Sequence, residues 1–576
     1  MERAVVMVSV LSYSIFSPLG STSEANFKAV SQGCSSVRRW HGRWNIPTDF
    51  MASLFSEEQT AAASEQNLTR MESFAWRSIK DAVTLLKVPF SPEHTVLILS
   101  TTKGNVELLS SGHENERFLP VSSAKLLSEK LGLATVPIVV DNACISGLSA
   151  LILAERLIAA GFYDHAVVCG VESQSKFIVS GFQSLKAMSP DPCRPFDIER
   201  NGLNLGEAAA TMILGKEKGC GWKLSTGAVR NDAFHLSAPA KDGVGAAMAL
   251  KKITAHTDIA DFAFINAHGT ATLFNDQMES VAIERAGLSA VPVNGYKGVY
   301  GHTMGACGVL ETIVSMEALN HDVILPTKGF SEIGVSGRVK VVGEKSLPAT
   351  PKPGGSSFVK MLSGFGGCNA AIRMIKDDQE AGPSTCPDVC LKQTHHIHLL
   401  PSSVVIDQKA IDTESTGKLL ITELYKRFVG NYPRFYKMDM QSRLAFIATE
   451  LLLNAEGKQR FVECSDRAVI FKGRSGSIVA DRAYYDSIKD PDDYYPSPER
   501  FVYTLPNIGT GEVAIRNHYH GETAYYSIEK KDQALIHQII SASFLDSDTK
   551  SVLGGWIECA DENEFEADIY INEIIK

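Results

Sequence analysis

Three polar residues stand in one order along this chain, each where an apolar run breaks into a glycine turn: Cys144 in DNACISG, His268 in NAHGTAT and His302 in KGVYGHTMGA. A polar residue at the carboxyl end of a buried strand is where open α/β sheets place their sites, so the chain must fold with several strands ending in such residues. IVVDNAC is a β-branched run (Ile138, Val139, Val140) closed by Asp141 and Asn142, and Ile145 to Ala160 suits a helix that Gly161 stops. Cys144 is therefore expected at a strand-to-helix turn, the position of a nucleophile elbow. There the helix dipole and unpaired amides favour a thiolate. Leu148, Leu151, Ile152, Leu153, Leu157 and Ile158 make the helix apolar nearly all round, which predicts burial. DFAFINA places His268 at the end of another short strand. VPVNGYKGVYGH runs from strand to loop at His302, and TMGACGVLETIVSMEAL then reads as an amphipathic helix.

A thiol with two imidazoles can do a defined piece of chemistry. The thiol can hold an acyl group as a covalent thioester, and the imidazoles can donate hydrogen bonds to a carbonyl that becomes an enolate. Taken singly, Cys144 reads equally well as a small buried hydrophobe, and each histidine as a structural one. All three on matching strand ends favour the catalytic reading.

The order Cys, His, His and the sequence around each residue resemble the β-ketoacyl-acyl-carrier-protein synthases, condensing enzymes of the thiolase fold. Further segments carry the resemblance: RPFDIERNG (194–202), GEAAATMILG (206–215, with Ala208 where a glycine is usual) and GFGGCN (364–369). The resemblance implies an α/β thiolase-like fold, two similar βα halves in a layered α-β-α-β-α arrangement, over residues 1–376. It implies that Lys297, five residues before His302, stands beside the active site and is organised by Glu311. It makes Phe365 a gatekeeper whose backbone amide forms an oxyanion hole with that of Cys144, and Thr270 and Thr272 supporting residues. The implied reaction is a decarboxylating condensation of malonyl carrier protein with an acyl group on Cys144, lengthening the chain by two carbons. Acyl carrier protein, with malonyl and acyl thioesters, is the implied partner. No metal, nucleotide or flavin is called for, and a homodimer formed through the strand near the nucleophile is the default, although a half-synthase in the tail could instead occupy that dimer-like face of its own chain.

The same residues separate this reading from its neighbours. A coenzyme-A thiolase would carry a second reactive cysteine in place of His302, and Cys307 falls inside the following helix, as packing. A class III synthase would replace one histidine with asparagine. A chain-length factor, the non-catalytic partner of some condensing enzymes, would lack Cys144.

Composition agrees with a cytoplasmic enzyme. The 576 residues should hold more than one domain, and 56 basic against 66 acidic side chains give no sign of nucleic acid. Eleven cysteines form no disulfide framework. No apolar run reaches the ~18 residues that span a membrane, and VVMVSVLSYS reads as a first strand rather than a secretory signal. Arg38, Arg39 and Arg43 form the densest early basic patch for docking an acidic carrier.

Residues 377–399 read as a linker, starting with the polar stretch DDQEAGPSTCPD. Cys386, Cys390, His395, His396 and His398 lie within it but lack regular metal-ligand spacing. Residues 400–576 read as a smaller α/β domain that echoes the first half of the synthase. MQSRLAFIATELLL (440–453) parallels LTRMESFAWRSIKDAV (68–83), RAVIFKGRSGSI (467–478) parallels HTVLILSTTKGNV (94–106), and KSVLGGWIECA (550–560) parallels HAVVCGVESQS (165–175). No cysteine occurs between Cys464 and Cys559, so this copy is expected to lack a nucleophile. An unrelated α/β domain and a docking domain are the alternatives.

Overall fold

The computed structural model describes residues 7–111, 116–349, 356–377 and 390–575. Its main strands fall into three groups of five. The first holds β1 (Val8–Phe16), β2 (Thr95–Ser100), β3 (Ile138–Val140), β4 (His165–Glu172) and β5 (Ala208–Gly215). The second holds β6 (Trp222–Asn231), β7 (Phe262–Asn266), β8 (Pro292–Asn294), β9 (Ser357–Gly364) and β10 (Cys368–Lys376). The third holds β11 (Leu391–Leu400), β12 (Arg467–Gly473), β13 (Thr523–Ser527), β14 (Ser551–Asp561) and β15 (Glu564–Ile574).

Each group forms a sheet in the same spatial order, third strand, second, fourth, fifth, first. In every sheet the second strand pairs parallel with the third and fourth, and the fifth pairs antiparallel with the fourth and first. The chain therefore contains one βα half three times over. The central strands are continuous apolar runs buried on both faces, as β4 is at all eight positions, because helices cover both sides.

Helices α1 (Arg70–Thr84), α3 (Val244–Thr254) and α5 (Met440–Glu456) occupy equivalent places, each lying on the first and fifth strands of its sheet. Helices α2 (Ser146–Ala159), α4 (Cys307–Asn320) and α7 (Gln533–Ser543) follow the third strands, and α6 (Ile508–Asn517) precedes β13. α2 and α4 pack on each other between the first two sheets, giving the layered thiolase-like arrangement. Their crossing is set by two glycines. A Cβ on Gly147 would lie 2.9 Å from Cα of Gly308, closer than side chains approach a backbone, so any larger residue would force the helices apart. The three sequence echoes in the tail fall on α5, β12 and β14, the counterparts of α1, β2 and β4.

Two expectations change. Residues 391–399, read as the end of the linker, are the first strand of the third sheet. β11 pairs with β15 along most of its length, because its alternating apolar residues, among them Ile397 and Leu399, are buried in the third core. The remainder of DDQEAGPSTCPD after Asp377, including Cys386, lies outside the described residues. The histidines of that strand do not converge. His395 pairs with Asp407, His396 with Asp568 and His398 with Glu566, and none joins a metal-like cluster among the described residues. Finally, the strand near the nucleophile, for which a homodimer edge is the default reading and the chain's own tail the alternative, carries the tail: β13 runs antiparallel to β3, with Tyr526 opposite Val140 and Ser527 opposite Val139.

Candidate active site

Cys144, His268 and His302 meet at the ends of β3, β7 and the segment after β8. Cys144 lies in a 3₁₀ turn, Ala143–Ile145, that runs directly into α2. Ala143 before it takes φ 49°, a left-handed conformation that is strained for alanine and marks a sharp elbow. His302 follows the short helix Lys297–Tyr300, and its backbone is gripped by Asn204 O at 2.6 Å and by Gly206 N at 3.0 Å.

His302 Nε2 lies 3.0 Å from Cys144 Sγ. The Met304 backbone N–H donates to His302 Nδ1 at 3.2 Å, so in the neutral ring the proton resides on Nε2, facing the sulfur. The His268 ring stands edge-on to His302, centroids 5.0 Å apart at 82°. Behind them Glu311 bridges two ammoniums: Lys297 contacts one carboxylate oxygen and Lys360 the other at 2.6 Å. Cys307, at the start of α4, turns its thiol to the backbone oxygen of Cys144 at 3.4 Å, which agrees with its reading as a packing residue.

Electrostatics revise one expectation. Burial pushes the Cys144 thiol far above its usual range, Cys307 and Cys368 add to this, and Lys297 opposes it only in part. Desolvation thus works against the thiolate that the helix N-terminus at the elbow favours. Burial also holds both imidazoles well below their usual range, followed by Lys297 for each and by Lys360. Both rings are neutral at pH 7.

The three side chains open into one cavity of about 350 Å³, bordered by Phe365 and by Thr270 and Thr272, whose hydroxyls are 2.9 Å apart. A Cβ on Gly364 would stand 3.3 Å from the Cys144 amide, so the loop carrying Phe365 comes up against the elbow. Arg38, Arg39 and Arg43 are elsewhere: Arg38 lies over Trp40 and Arg39 bonds Pro190 O, and none lines the cavity.

Two groups of residues were not singled out in the sequence. Lys360 interrupts the apolar strand SFVKMLSG, and a charge at a fully buried strand position was the available signal. The other lies in the tail. Asn507, next to α6, donates to Phe365 O at 2.8 Å, and a Cβ on Gly511 would meet Gly366 O at 2.7 Å. No local pattern foretells that contact.

A thiol elbow faced by two neutral imidazoles, set at the strand ends of two repeated halves, defines a thiolase-fold condensing enzyme. Family models for the N-terminal and C-terminal domains of β-ketoacyl synthase match residues 99–219 and 223–331. The 3-oxoacyl-[acyl-carrier-protein] synthase 2 of Vibrio cholerae is 27% identical over 415 residues, 64% of this chain and 98% of that protein. Among solved structures, a type II polyketide ketosynthase in complex with its acyl-carrier protein (AntDE:AntF) matches 65% of this chain and 100% of its own, with TM-score 0.57 and 18% identity. The PfaC ketosynthase–chain length factor matches 99% of this chain and 78% of its own, with TM-score 0.78 and 14% identity. The second likeness includes the third sheet and speaks for its fold. The chain belongs to the β-ketoacyl synthases of the thiolase superfamily, and its activity is the condensing step of fatty acid or polyketide synthesis.

Proposed function

We propose that Cys144 carries the acyl chain, that His268 and His302 stabilise the enolate, and that the substrates arrive on an acyl carrier protein. The observation that carries this reading is the 3.0 Å contact of His302 Nε2 with Cys144 Sγ, with His268 beside it in one cavity. In the first stage the Cys144 sulfur attacks the acyl thioester. The oxyanion rests on the amides of Cys144 and Phe365, and the carrier thiol departs with the proton that Cys144 loses. The His302 Nε2–H favours the thiolate form as it develops. Once the sulfur is acylated, the same N–H is free for the next substrate.

In the second stage malonyl carrier protein enters and the bond to its carboxylate breaks, releasing carbon dioxide. The electron pair passes into an enolate whose oxygen accepts from His268 and His302. The enolate carbon attacks the Cys144 thioester, a carbon–carbon bond forms, the Cys144 thiolate leaves, and the β-ketoacyl product stays on the carrier. Lys297 and Glu311 fix the charge behind the histidines, and Phe365 moves aside between stages. Incubating acyl-primed enzyme with malonyl carrier protein tests this. Carbon dioxide and a β-ketoacyl product lengthened by two carbons are expected. Activity with acetyl coenzyme A alone would instead make it a thiolase, and no release would make it a non-catalytic partner.

The third sheet is read as a degenerate copy of the first half that serves as its partner. It has no cysteine at the end of β13, where TAYYS passes into IEKKD. Its position against β3 and the Phe365 loop suits a brace that replaces a second subunit, so the expected species is a monomer. The absence of a helix among the described residues able to cross a membrane and the free cysteines support the cytoplasm as its place of action.

A further inference from the structure

Lys360 is the one charged side chain of β9, and the reaction described above does not use it. It is fully buried between Val359 and Met361. Its ammonium reaches Glu311 Oε2 at 2.6 Å and donates to Ala267 O at 3.1 Å. Ala267 is the residue before His268. On the other side of the same turn, Glu279 accepts the backbone N–H of His268 at 2.6 Å and of Gly269 at 2.7 Å. The peptide carrying His268 is thus held at its carbonyl side by a buried cation and at its amide side by a buried carboxyl. Lys297 alone would neutralise Glu311, so the second ammonium leaves the cluster positive.

We propose that Lys360 is a positioning residue for the condensation: it fixes the strand end that presents His268 and, as second cation on Glu311, keeps both imidazoles in the neutral, N–H-donating form. This rests on the enolate role given to the histidines above. Neutrality matters chemically. An imidazolium is acidic enough to hand its proton to the enolate carbon, which would yield acetyl carrier protein and carbon dioxide with no carbon–carbon bond formed. A neutral ring can donate a hydrogen bond without surrendering the proton.

The groups facing Lys360 are Glu311 and Cys307 from α4, Lys297 from the short helix before His302, Glu279 from the helix Leu273–Arg285, and the two histidines. Burial depresses both histidines first, and Lys297 and Lys360 depress them further. Burial likewise lowers Lys360, with Glu311 working against it, and Glu279 is pushed up to about 7 by burial and Asp276. Glu279 is therefore only about half ionised at neutral pH and offsets the lysines in part.

The test uses the full chain with Lys360→Met, which keeps the shape and removes the charge, and Lys360→Arg, which keeps the charge. Removing the cation raises the histidine pKa values, so the acid limb of the condensation profile should move up by roughly one pH unit or more in Lys360→Met. The fraction of malonyl carrier protein diverted to acetyl carrier protein should rise with it, while acyl transfer to Cys144 at pH 8 stays near wild type. Lys360→Arg should bring the acid limb back. An unchanged limb and unchanged diversion in folded Lys360→Met would overturn the proposal. Should that variant fail to fold, nitrogen NMR of the wild-type histidines decides the matter, since imidazolium signals at pH 6.5 would refute it. His268→Ala and His302→Ala serve as controls. If they release carbon dioxide normally, the enolate reading itself fails, whereas their loss beside an unaffected Lys360→Met removes only the role of Lys360.

Discussion

Cys144 is a half-buried thiol faced by an N–H, and this makes its reactivity measurable. Because burial raises its pKa, alkylation by iodoacetamide should keep accelerating with pH beyond 9, whereas an elbow thiolate would level off below neutrality. Cys144→Ala removes one sulfur and opens only a small cavity. It should abolish acylation and condensation with the thermal midpoint nearly unchanged, and elongation of an acyl primer by this variant would refute its role. His268→Ala and His302→Ala each remove a donor to the enolate, and losing one such donor costs about 10²–10³ in rate. Carbon dioxide release should fall by that factor while acylation of Cys144 persists. Cys144, His268 and His302 were legible as candidates because each interrupts an apolar run. Lys360 and Glu279 were harder to see, since a lone charge in a strand or helix gives no hint of what it faces until the fold brings its partner across.

At the level of elements, the site depends on how closely α2 and α4 approach, since Cys144 and His302 stand just before their N-termini. Gly147→Ala would place a methyl group 2.9 Å from Gly308 Cα and N. Overpacking of this kind costs about 1–3 kcal/mol, and here the strain falls on the Cys144–His302 contact. A lower melting temperature with acylation more than proportionally reduced is expected, and a variant of wild-type stability would show that the helices slide apart freely. Strand and helix periodicity foretold β3, β7 and α2 nearly to the residue. It missed β11, where His395, His396 and His398 hid a strand inside an apparent linker. A half-exposed strand rich in histidine lacks the apolar run that reveals a buried one.

In the whole molecule the third sheet is bound to the first two through buried charge as well as through β3 and β13. Asp546 takes Arg230 at 2.6 Å and Lys252 at 3.2 Å, with Arg156 at 3.8 Å. Arg156 also holds Glu522 at 2.5 Å. Burial alone would raise the Asp546 carboxyl, but Arg230, Arg156 and Lys252 together hold it far below the usual carboxylate range. Its contribution is therefore complete above the ordinary Asp value of about 3.9 and is lost as pH falls through the lower folded value. Asp546→Asn removes the carboxylate that Arg230, Arg156 and Lys252 share and leaves Arg156 on Glu522 and Arg230 on Asp548 alone, a loss of at most about 3–5 kcal/mol, so the third sheet should release at lower denaturant than in wild type. Hydrogen exchange in β13 would report it, and unchanged protection there would contradict the brace. Truncation to residues 1–383 bares the edge of β3 and the face of α2 that α7 covers. Light scattering should show dimers or aggregates with residual activity. A monomeric, stable, fully active 1–383 chain would show the tail to be an independent appendage.

What the sequence determined by itself is what short-range chemistry records: which runs are apolar, where they break, and which thiol and imidazoles stand at the breaks. That sufficed for the thiolase-like halves, the Cys144, His268 and His302 set, and the echo of the first half in the tail. Only the tertiary structure decided that the echo is a third complete sheet, that β13 lies on β3, and that Lys360 shares Glu311 with Lys297. It also decided that burial works against the Cys144 thiolate. Each of these depends on residues far apart in sequence and on the removal of water between them, and desolvation belongs to the packed interior rather than to any local run of residues.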